Sequence, residues 1–284
     1  MKTIVPLYIK KNKIIYVTII YIYMKVNFIC VGVQKGGTGS LIKYLNIHPD
    51  IYMKEGESHF FDQPLINGDL TKQNIKKYEK KFKKKKIIGE KTPSYCYLRY
   101  SMDRIYNYNK NIKLIIMLRE PISRAFSQYN MRLNIIHKKT LYDVTDEEIM
   151  NTIKEEENIT LDNIKSNGIF YIQRGFYDEI LEYILSKFPR KNVYIGISEE
   201  INENKLKYYN EIYKFLGTHK LKNLNNITNV DERVYKKTIP KNLEYYLYDI
   251  YKSHNEKLYK LLGRKITIWE NYYNKLKEEK LNSF

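Results

Sequence analysis

Cysteine is scarce in this chain. There are two, Cys30 and Cys96, among 284 residues. That excludes a disulfide framework, so the chain need not mature in an oxidising compartment. Cys30 falls in an apolar run and reads as a buried free thiol. Proline and glycine are also sparse, at 7 and 12 residues. No stretch rich in Pro, Gly or Ser marks a linker, and no internal repeat is visible, so one domain over residues 25–284 is expected. A long apolar run is missing too. The best candidate, IIYVTIIYIYM (Ile14 to Met24), lies between Lys10, Lys11, Lys13 and Lys25. It falls short of the about 20 residues that span a bilayer, and no small-residue cleavage site follows it. Residues 1–24 therefore read as an N-terminal extension, poorly ordered or preceding a native start at Met24. No stable membrane anchor is expected. The chain is placed in the cytoplasm or another soluble intracellular location, with secretory targeting left open.

Acidic residues are the minority charge, 32 Asp and Glu against 50 Lys and Arg, for a formal charge of +18. Such a field attracts anions of many kinds. A bland cause competes, because Lys, Asn, Ile and Tyr are all residues of AT-rich codons. The run from Lys76 to Lys86 reads as a solvated helix face rather than a binding patch. Apolar residues make up 43% of the chain, enough for a sizeable core.

What glycine there is clusters. Gly32, Gly36, Gly37 and Gly39 lie within FICVGVQKGGTGSLIKYL, an apolar strand, a glycine-rich loop carrying Lys35, and an amphipathic helix. Glycine lets backbone approach a ligand closely and adopt positive φ. Such a loop aims its N–H groups and the helix dipole at an anion. A phosphate-bearing nucleotide is the expected ligand.

The rest of the chain alternates strands with helices. Val26 to Val33 and Lys113 to Leu118 read as strands buried on both faces, Val193 to Ile197 as a third, and Ile51 to Met53 as a short one. Ile87-Ile88-Gly89 leads into a strand end. Helices are expected over Ser40 to Asn46, Ile122 to Leu133, Tyr177 to Phe188, Leu206 to Leu216 and Leu243 to Leu262. Pro121 suits a helix start. The fold class is α/β, a three-layer sandwich around a parallel sheet with a P-loop-like strand–loop–helix. Ligands in such folds sit beyond the carboxyl ends of the strands. The loops after Val33 and Leu118 both lie there.

The glycine loop departs from the Walker A pattern. Gly32 and Gly37 have its separation, but Thr38 stands where its lysine belongs and the lysine is Lys35 instead. No apolar strand ends in an obvious Mg²⁺-binding Asp. A metal-dependent nucleotide kinase or NTPase is disfavoured, and no metal is expected.

At these residues the chain resembles the sulfotransferases that use 3′-phosphoadenosine-5′-phosphosulfate (PAPS). VGVQKGGTGSL resembles their 5′-phosphosulfate loop, and LIIMLREPISRAFSQY their 3′-phosphate motif, a strand followed by R-x-P-x-x-R-x-x-S-x-Y. The resemblance implies that Lys35, Gly36, Gly37, Thr38, Gly39 and Ser40 bind the phosphosulfate, and that Arg119 and Ser127 hold the 3′-phosphate. KEGESHFFD (Lys54 to Asp62) resembles the K-E-x-H-F-F-D segment of the heparan sulfate branch, in particular the glucosaminyl 3-O-sulfotransferases and their N-sulfotransferase kin. It implies Glu57 as general base, with His59 and Asp62 orienting it. GEKTPSY resembles that branch's E-K-S-P-x-Y and places Lys91 near the transferred group. A weaker match over Gly175 to Ile201 implies that Tyr177 lines the cofactor or acceptor site. Arg233, Lys236 and Lys237 stand where the family has a basic loop over the nucleotide. Asn255 to Trp269 resembles its terminal helix and tryptophan. Two departures stand out: Gly39-Ser40 replaces a frequent Arg-Ala, and the cysteine pair that pins the basic loop is absent.

The residue types suit sulfuryl transfer. A carboxylate takes the acceptor proton, and cations stabilise charge growing on the leaving phosphate and the sulfonate oxygens. The expected function is transfer of a sulfonate from PAPS to a hydroxyl, less readily an amine, of a carbohydrate, releasing 3′-phosphoadenosine-5′-phosphate (PAP). The partner would be an anionic or neutral glycan, with no nucleic acid. A catalytically inactive polyanion-binding module on the same scaffold is the alternative.

Overall fold

The structure is a computed structural model that describes residues 3–10, 13–19, 25–63, 70–163, 168–225 and 238–282, the first two segments as backbone only. β1 (Thr3–Lys10) and β2 (Lys13–Ile19) pair antiparallel as a sheet of their own. The body alternates strands with one or more helices. β3 (Phe28–Gly32) leads to α1 (Thr38–Asn46), β4 (Ile51–Glu57) to α2 (Lys72–Glu79), and β5 (Ile87–Lys91) to α3 (Arg99–Tyr108). β6 (Lys113–Leu118) runs into α4 (Pro121–His137), then α5 (Asp146–Lys154) and α6 (Tyr177–Lys187). β7 (Val193–Ile197) is followed by α7 (Ser198–Glu203), α8 (Lys205–Leu216), α9 (Lys241–Leu262) and α10 (Thr267–Leu281).

The five body strands form one parallel sheet in the order β4-β5-β3-β6-β7. Period-two alternation sorts their side chains into two cores. Ile29 and Val31 of β3, with Leu114, Ile116 and Leu118 of β6, face the larger core, which contains Met102, Leu181, Leu247 and Trp269 from the helices. Phe28, Cys30, Ile115 and Met117 face the smaller one, with Leu41 of α1 and Ile212 of α8. This is the three-layer α/β sandwich with a parallel sheet that the sequence predicts. Cys30 and Cys96 are both free and buried. Burial pushes each thiol up to about 12.

Two elements differ from the sequence-based expectation. β4 extends past Met53 to Glu57, pairing with β5 again at Glu57 and Lys91 after an irregular stretch. Its polar end KEGE carries no apolar alternation because it lies on an exposed edge of the sheet. The lysine run is not one helix. α2 stops at Glu79, and Tyr78 and Phe82 plug the core while the lysines between Lys76 and Lys86 remain exposed. α9 ends at Leu262 as expected, closed by Gly263, whose φ of 68° is in the left-handed conformation. Trp269 then sits in the first turn of α10, fully buried, its Nε1 donating to Glu199 Oε2 at 3.1 Å.

Candidate active site

The chain returns to the middle of the sheet twice, and both carriers of anion chemistry are there. β3 and β6 are adjacent, and the loops leaving their carboxyl ends meet. The first loop is tightly built. Val33 N–H donates to the Met117 carbonyl at 3.0 Å and Gly36 N–H to the Val33 carbonyl at 3.0 Å. A Cβ on Gly36 would come within 2.2 Å of the Met117 oxygen, so only glycine fits. Lys35 and Gly37 have φ of 71° and 81°. These turns curl the loop before α1. Its N-cap, Gly37, supplies no side-chain cap, and the first turn has no acidic residue. The N–H groups and positive helix end are therefore available to an anion. Ser198 Oγ donates to the Gly36 carbonyl at 2.7 Å, holding the loop from β7's side. Thr38 is buried in the first turn of α1; Gly39 and Ser40 follow it there.

Arg119 follows β6 and donates from Nη1 to the Lys35 carbonyl at 3.3 Å. The phosphosulfate-type loop and the second motif are thus in direct contact. Glu120 caps α4, accepting from Ile122 N–H at 2.9 Å and Ser123 N–H at 2.7 Å. It is buried, which pushes its pKa up, and Tyr273 donates to it at 2.7 Å. Ser127 is buried, two turns along α4. Tyr177 does not line the cleft. It is 1% exposed, and its hydroxyl donates to the Arg119 carbonyl at 2.8 Å, so it supports Arg119 from behind. Arg233, Lys236 and Lys237 lie outside the described residues.

A second cluster assembles at the ends of β4 and β5. Glu57 and Lys91 are register partners, with Lys91 Nζ 3.6 Å from Glu57 Oε1. His59 Nε2 is 3.1 Å from Glu57 Oε2, and its Nδ1 is 2.8 Å from Asp62 Oδ2. Ser94 Oγ also donates to that Asp62 oxygen, at 2.6 Å. His59 has φ of 46°. Thr92 Oγ1 holds it there, accepting from Ser58 N–H at 3.1 Å and His59 N–H at 3.2 Å. Behind Thr92, Glu90 is wholly buried and accepts from Tyr78, Thr92 and Tyr95 hydroxyls. Burial raises its pKa, and the donors partly offset that.

Glu57, His59 and Asp62 face a cleft of about 310 Å³ whose other walls include Gln34 of the glycine loop, Arg132 and Arg174. The cleft joins the carboxylate cluster to the residue preceding Lys35. Sequence reasoning missed Gln34, Ser94, Tyr97, Gln128, Arg132 and Arg174. Ser94 and Gln128 fall inside quoted motifs, at positions the motifs leave open. Arg132 and Arg174 carry no spacing signal. Among the described residues, no group of three or more His, Cys, Asp or Glu side chains has the geometry to hold a metal ion. Nor is any helix among them long and apolar enough to cross a membrane.

A glycine loop without a Walker lysine, joined through arginine to the next strand of a parallel three-layer sheet, defines the sulfotransferase fold class. A sulfotransferase from Alicyclobacillus acidocaldarius has the same fold, with a TM-score of 0.67 at 22% identity, covering 87% of this chain and 99% of that one. In sequence, the mouse heparan sulfate glucosamine 3-O-sulfotransferase 3B1 is 31% identical over 203 residues, 68% of this chain and 46% of that protein. The membrane-associated sulfotransferase kil1 of Dictyostelium discoideum is 27% identical over 332 residues, 86% of this chain and 66% of that protein. No protein-family model matches the chain. The chain belongs to the sulfotransferase family, as a homologue of the heparan sulfate glucosamine 3-O-sulfotransferases. It spans about half the length of most of the curated relatives it matches.

Proposed function

We propose that the protein transfers a sulfonate group from PAPS to a hydroxyl, less readily an amine, of a carbohydrate acceptor. The observation that carries this reading is the placement of Glu57, between Lys91 and His59, in a cleft shared with Gln34 of the glycine loop. The loop of Lys35, Gly36, Gly37, Thr38, Gly39 and Ser40 suits the 5′-phosphosulfate. It has glycine where no Cβ fits and an uncapped helix start. Arg119 and Ser127 are assigned to the 3′-phosphate. The guanidinium of Arg119 is already held beside the loop, and its fork matches a phosphate.

In the transfer, the acceptor O–H proton passes to the Glu57 carboxylate. The acceptor oxygen forms a bond to sulfur as the bond from sulfur to the phosphate oxygen breaks, and PAP leaves. Lys35 and Lys91 neutralise charge on the bridging and sulfonate oxygens. His59 and Asp62 fix the orientation of Glu57, and Ser94 in turn fixes Asp62. The general-base step contributes about 10²–10⁴-fold.

Calorimetric titration with PAP tests the donor site. Absence of binding at high micromolar PAP by folded protein sinks the reading. With PAPS and a glycan panel, Glu57→Gln is expected to keep PAP binding while losing transfer. Undiminished turnover in that variant removes Glu57 from the mechanism.

A further inference from the structure

One buried carboxylate underlies the segment between Glu57 and Asp62. Glu90 lies in β5 with no exposed surface. Three hydroxyls donate to it: Tyr78 to Oε1 at 3.0 Å, Tyr95 to Oε1 at 3.3 Å and Thr92 to Oε2 at 3.1 Å. All three donors are neutral, and a carboxylate held in a dry site by neutral donors is costly. Each donor also touches the segment in front of it. Tyr95 Oη accepts from Phe60 N–H at 2.8 Å and Phe61 N–H at 3.2 Å. Thr92 Oγ1 accepts from Ser58 N–H at 3.1 Å and His59 N–H at 3.2 Å. The Tyr78 ring stacks on Phe60, with centroids 4.1 Å apart. The consecutive N–H groups from Ser58 to Phe61 therefore end on two hydroxyls that share one carboxylate.

The hydrogen inventory explains why an acid is needed there. A hydroxyl offers one hydrogen and a pair of acceptor sites. In Thr92 and Tyr95 the incoming N–H groups take the acceptor sites, so each hydroxyl hydrogen must find an acceptor of its own. That of Tyr95 goes to Glu90. That of Thr92 has Glu90 Oε2 in reach and, at 2.8 Å, the Lys91 carbonyl. A carboxylate accepts at both oxygens and serves both sides, whereas an amide accepts at one end and donates at the other. What the segment carries is the contact with the general base. His59 has φ of 46°, a left-handed backbone that is uncommon outside glycine. That turn places Nε2 3.1 Å from Glu57 Oε2 and Nδ1 2.8 Å from Asp62 Oδ2. Glu90 itself lies behind the cleft wall, so it acts on the cleft through this backbone.

We infer that Glu90 is a positioning residue for sulfonate transfer: through Thr92 and Tyr95 it fixes the backbone turn at His59, and so the direction in which His59 holds Glu57. The inference rests on the sulfotransferase reading above. It separates the two neighbours on β5 by role. Lys91 faces the reacting groups, and Glu90 holds the frame from the opposite side of the strand.

The test compares the full wild-type chain with Glu90→Gln, Thr92→Val and Thr92→Ser. Each is titrated with PAP by calorimetry and assayed with PAPS and a hexasaccharide of alternating glucuronate and N-sulfonated glucosamine. A third readout is the NMR signal of the His59 Cε1–H group in histidine-labelled protein, assigned by its absence from His59→Gln. Glu90→Gln is expected to lose about 10-fold to 10²-fold in kcat, the scale of a misplacement of about 1 Å. Its KM and PAP affinity stay within about twofold of wild type, and its His59 signal shifts. Thr92→Val behaves alike, and Thr92→Ser, which keeps the hydroxyl, recovers most of the rate. Wild-type kcat in Glu90→Gln, or an unmoved His59 signal, overturns the inference alone. So does a parallel loss of PAP affinity in folded Glu90→Gln, which marks a general structural role. Should Glu90→Gln not fold, Thr92→Val decides by the same readouts and the same overturning results. Wild type that binds PAP without sulfonating the hexasaccharide leaves the decision to the His59 signal. Failure of the wild type to bind PAP overturns the sulfotransferase reading, and this inference with it.

Discussion

Lys91 and Glu57 end neighbouring parallel strands as register partners, with Nζ 3.6 Å from Oε1. β4 and β5 thus deliver a cation and a carboxylate to one point by strand pairing, without a flexible loop between them. Strand-borne groups of this kind are held more precisely than loop-borne ones. The lysine is mostly buried while the carboxylate is one-third exposed, so the pair opens toward the cleft from a fixed base. Lys91→Met keeps the stem's packing and removes the charge. Its expected effect is a fall in the transfer rate of about 10²-fold, the scale of losing one preorganised electrostatic contact, with PAP affinity within a few-fold of wild type. Single-turnover rates with radiolabelled PAPS, beside PAP calorimetry, check this. Equal losses in rate and PAP affinity would instead assign Lys91 to donor binding.

Gly36 sits where a Cβ would meet the Met117 carbonyl at 2.2 Å and Val33 Cγ2 at 2.9 Å. The nearer obstacle is backbone of β6, the central strand's neighbour, and cannot swing aside as a side-chain tip would. Gly36→Ala should therefore push the loop off β6 and break the Val33–Met117 hydrogen bond. Overpacking of this kind costs about 1–3 kcal/mol. A shifted urea midpoint and loss of PAP binding are expected together. Gly39→Ala is the control, since nothing lies within 4 Å of an added Cβ there, and its stability should be near wild type.

The sequence was most readable where local pattern and tertiary role agree. β6 and β7 match their expected bounds, because continuous apolar runs bounded by polar residues leave little choice. The glycine loop was readable because glycine spacing and Lys35 are short-range features. β4 was read too short. Its KEGE end has no apolar alternation and becomes strand only because β5 pairs with it. Arg174 was invisible for a different reason. It lies 140 positions from Gln34, its hydrogen-bond partner, and no periodicity links the two. Tyr177 was expected to line the cofactor or acceptor site, whereas its side chain is buried and its hydroxyl faces the Arg119 carbonyl. A family motif marks a position, whereas burial decides whether the side chain faces ligand or core.

Tyr177 gives the third prediction. Its hydroxyl, within a fully buried side chain, donates to the Arg119 carbonyl at 2.8 Å. Tyr177→Phe keeps the ring near Trp269, 6.1 Å away between centroids, and removes one donor. The cost should be about 1 kcal/mol of stability. PAP affinity should fall only modestly, because Arg119 also retains its bond to the Lys35 carbonyl. Chemical denaturation and PAP calorimetry on one preparation separate the two effects. A PAP affinity that collapses while stability stays put would mean that Tyr177 touches the nucleotide after all.

The fourth prediction concerns acid sensitivity away from the cleft. His48 is 1% exposed, between α1 and β4. Its Nδ1 accepts from Asp50 N–H at 3.1 Å, and its Nε2 faces the His219 carbonyl at 3.1 Å. The neutral ring with hydrogen on Nε2 satisfies both contacts. Burial lowers the His48 pKa from 6.5; the hydrogen bond to the His219 carbonyl opposes this, and the smaller effects of the His219 imidazole, which lowers it, and of Asp50, which raises it, follow. Lys86, on the chain before β5, adds to the lowering. The unfolded chain therefore binds a proton at higher pH than the folded one. Below pH 6.5 the unfolded state gains protons that the native state refuses, so stability falls as pH drops from 6.5 toward the folded-state pKa. Asp50 adds to this loss only at lower pH, below its unfolded value near 3.8, since its own pKa is depressed, chiefly by the Thr218 hydroxyl. His48→Asn removes the titrating ring while keeping one acceptor and one donor. Denaturant unfolding of both proteins from pH 8 to pH 5 should show the variant less stable at pH 8, with the difference shrinking steadily below pH 6.5. A constant difference across that range would show that His48 titrates alike in both states.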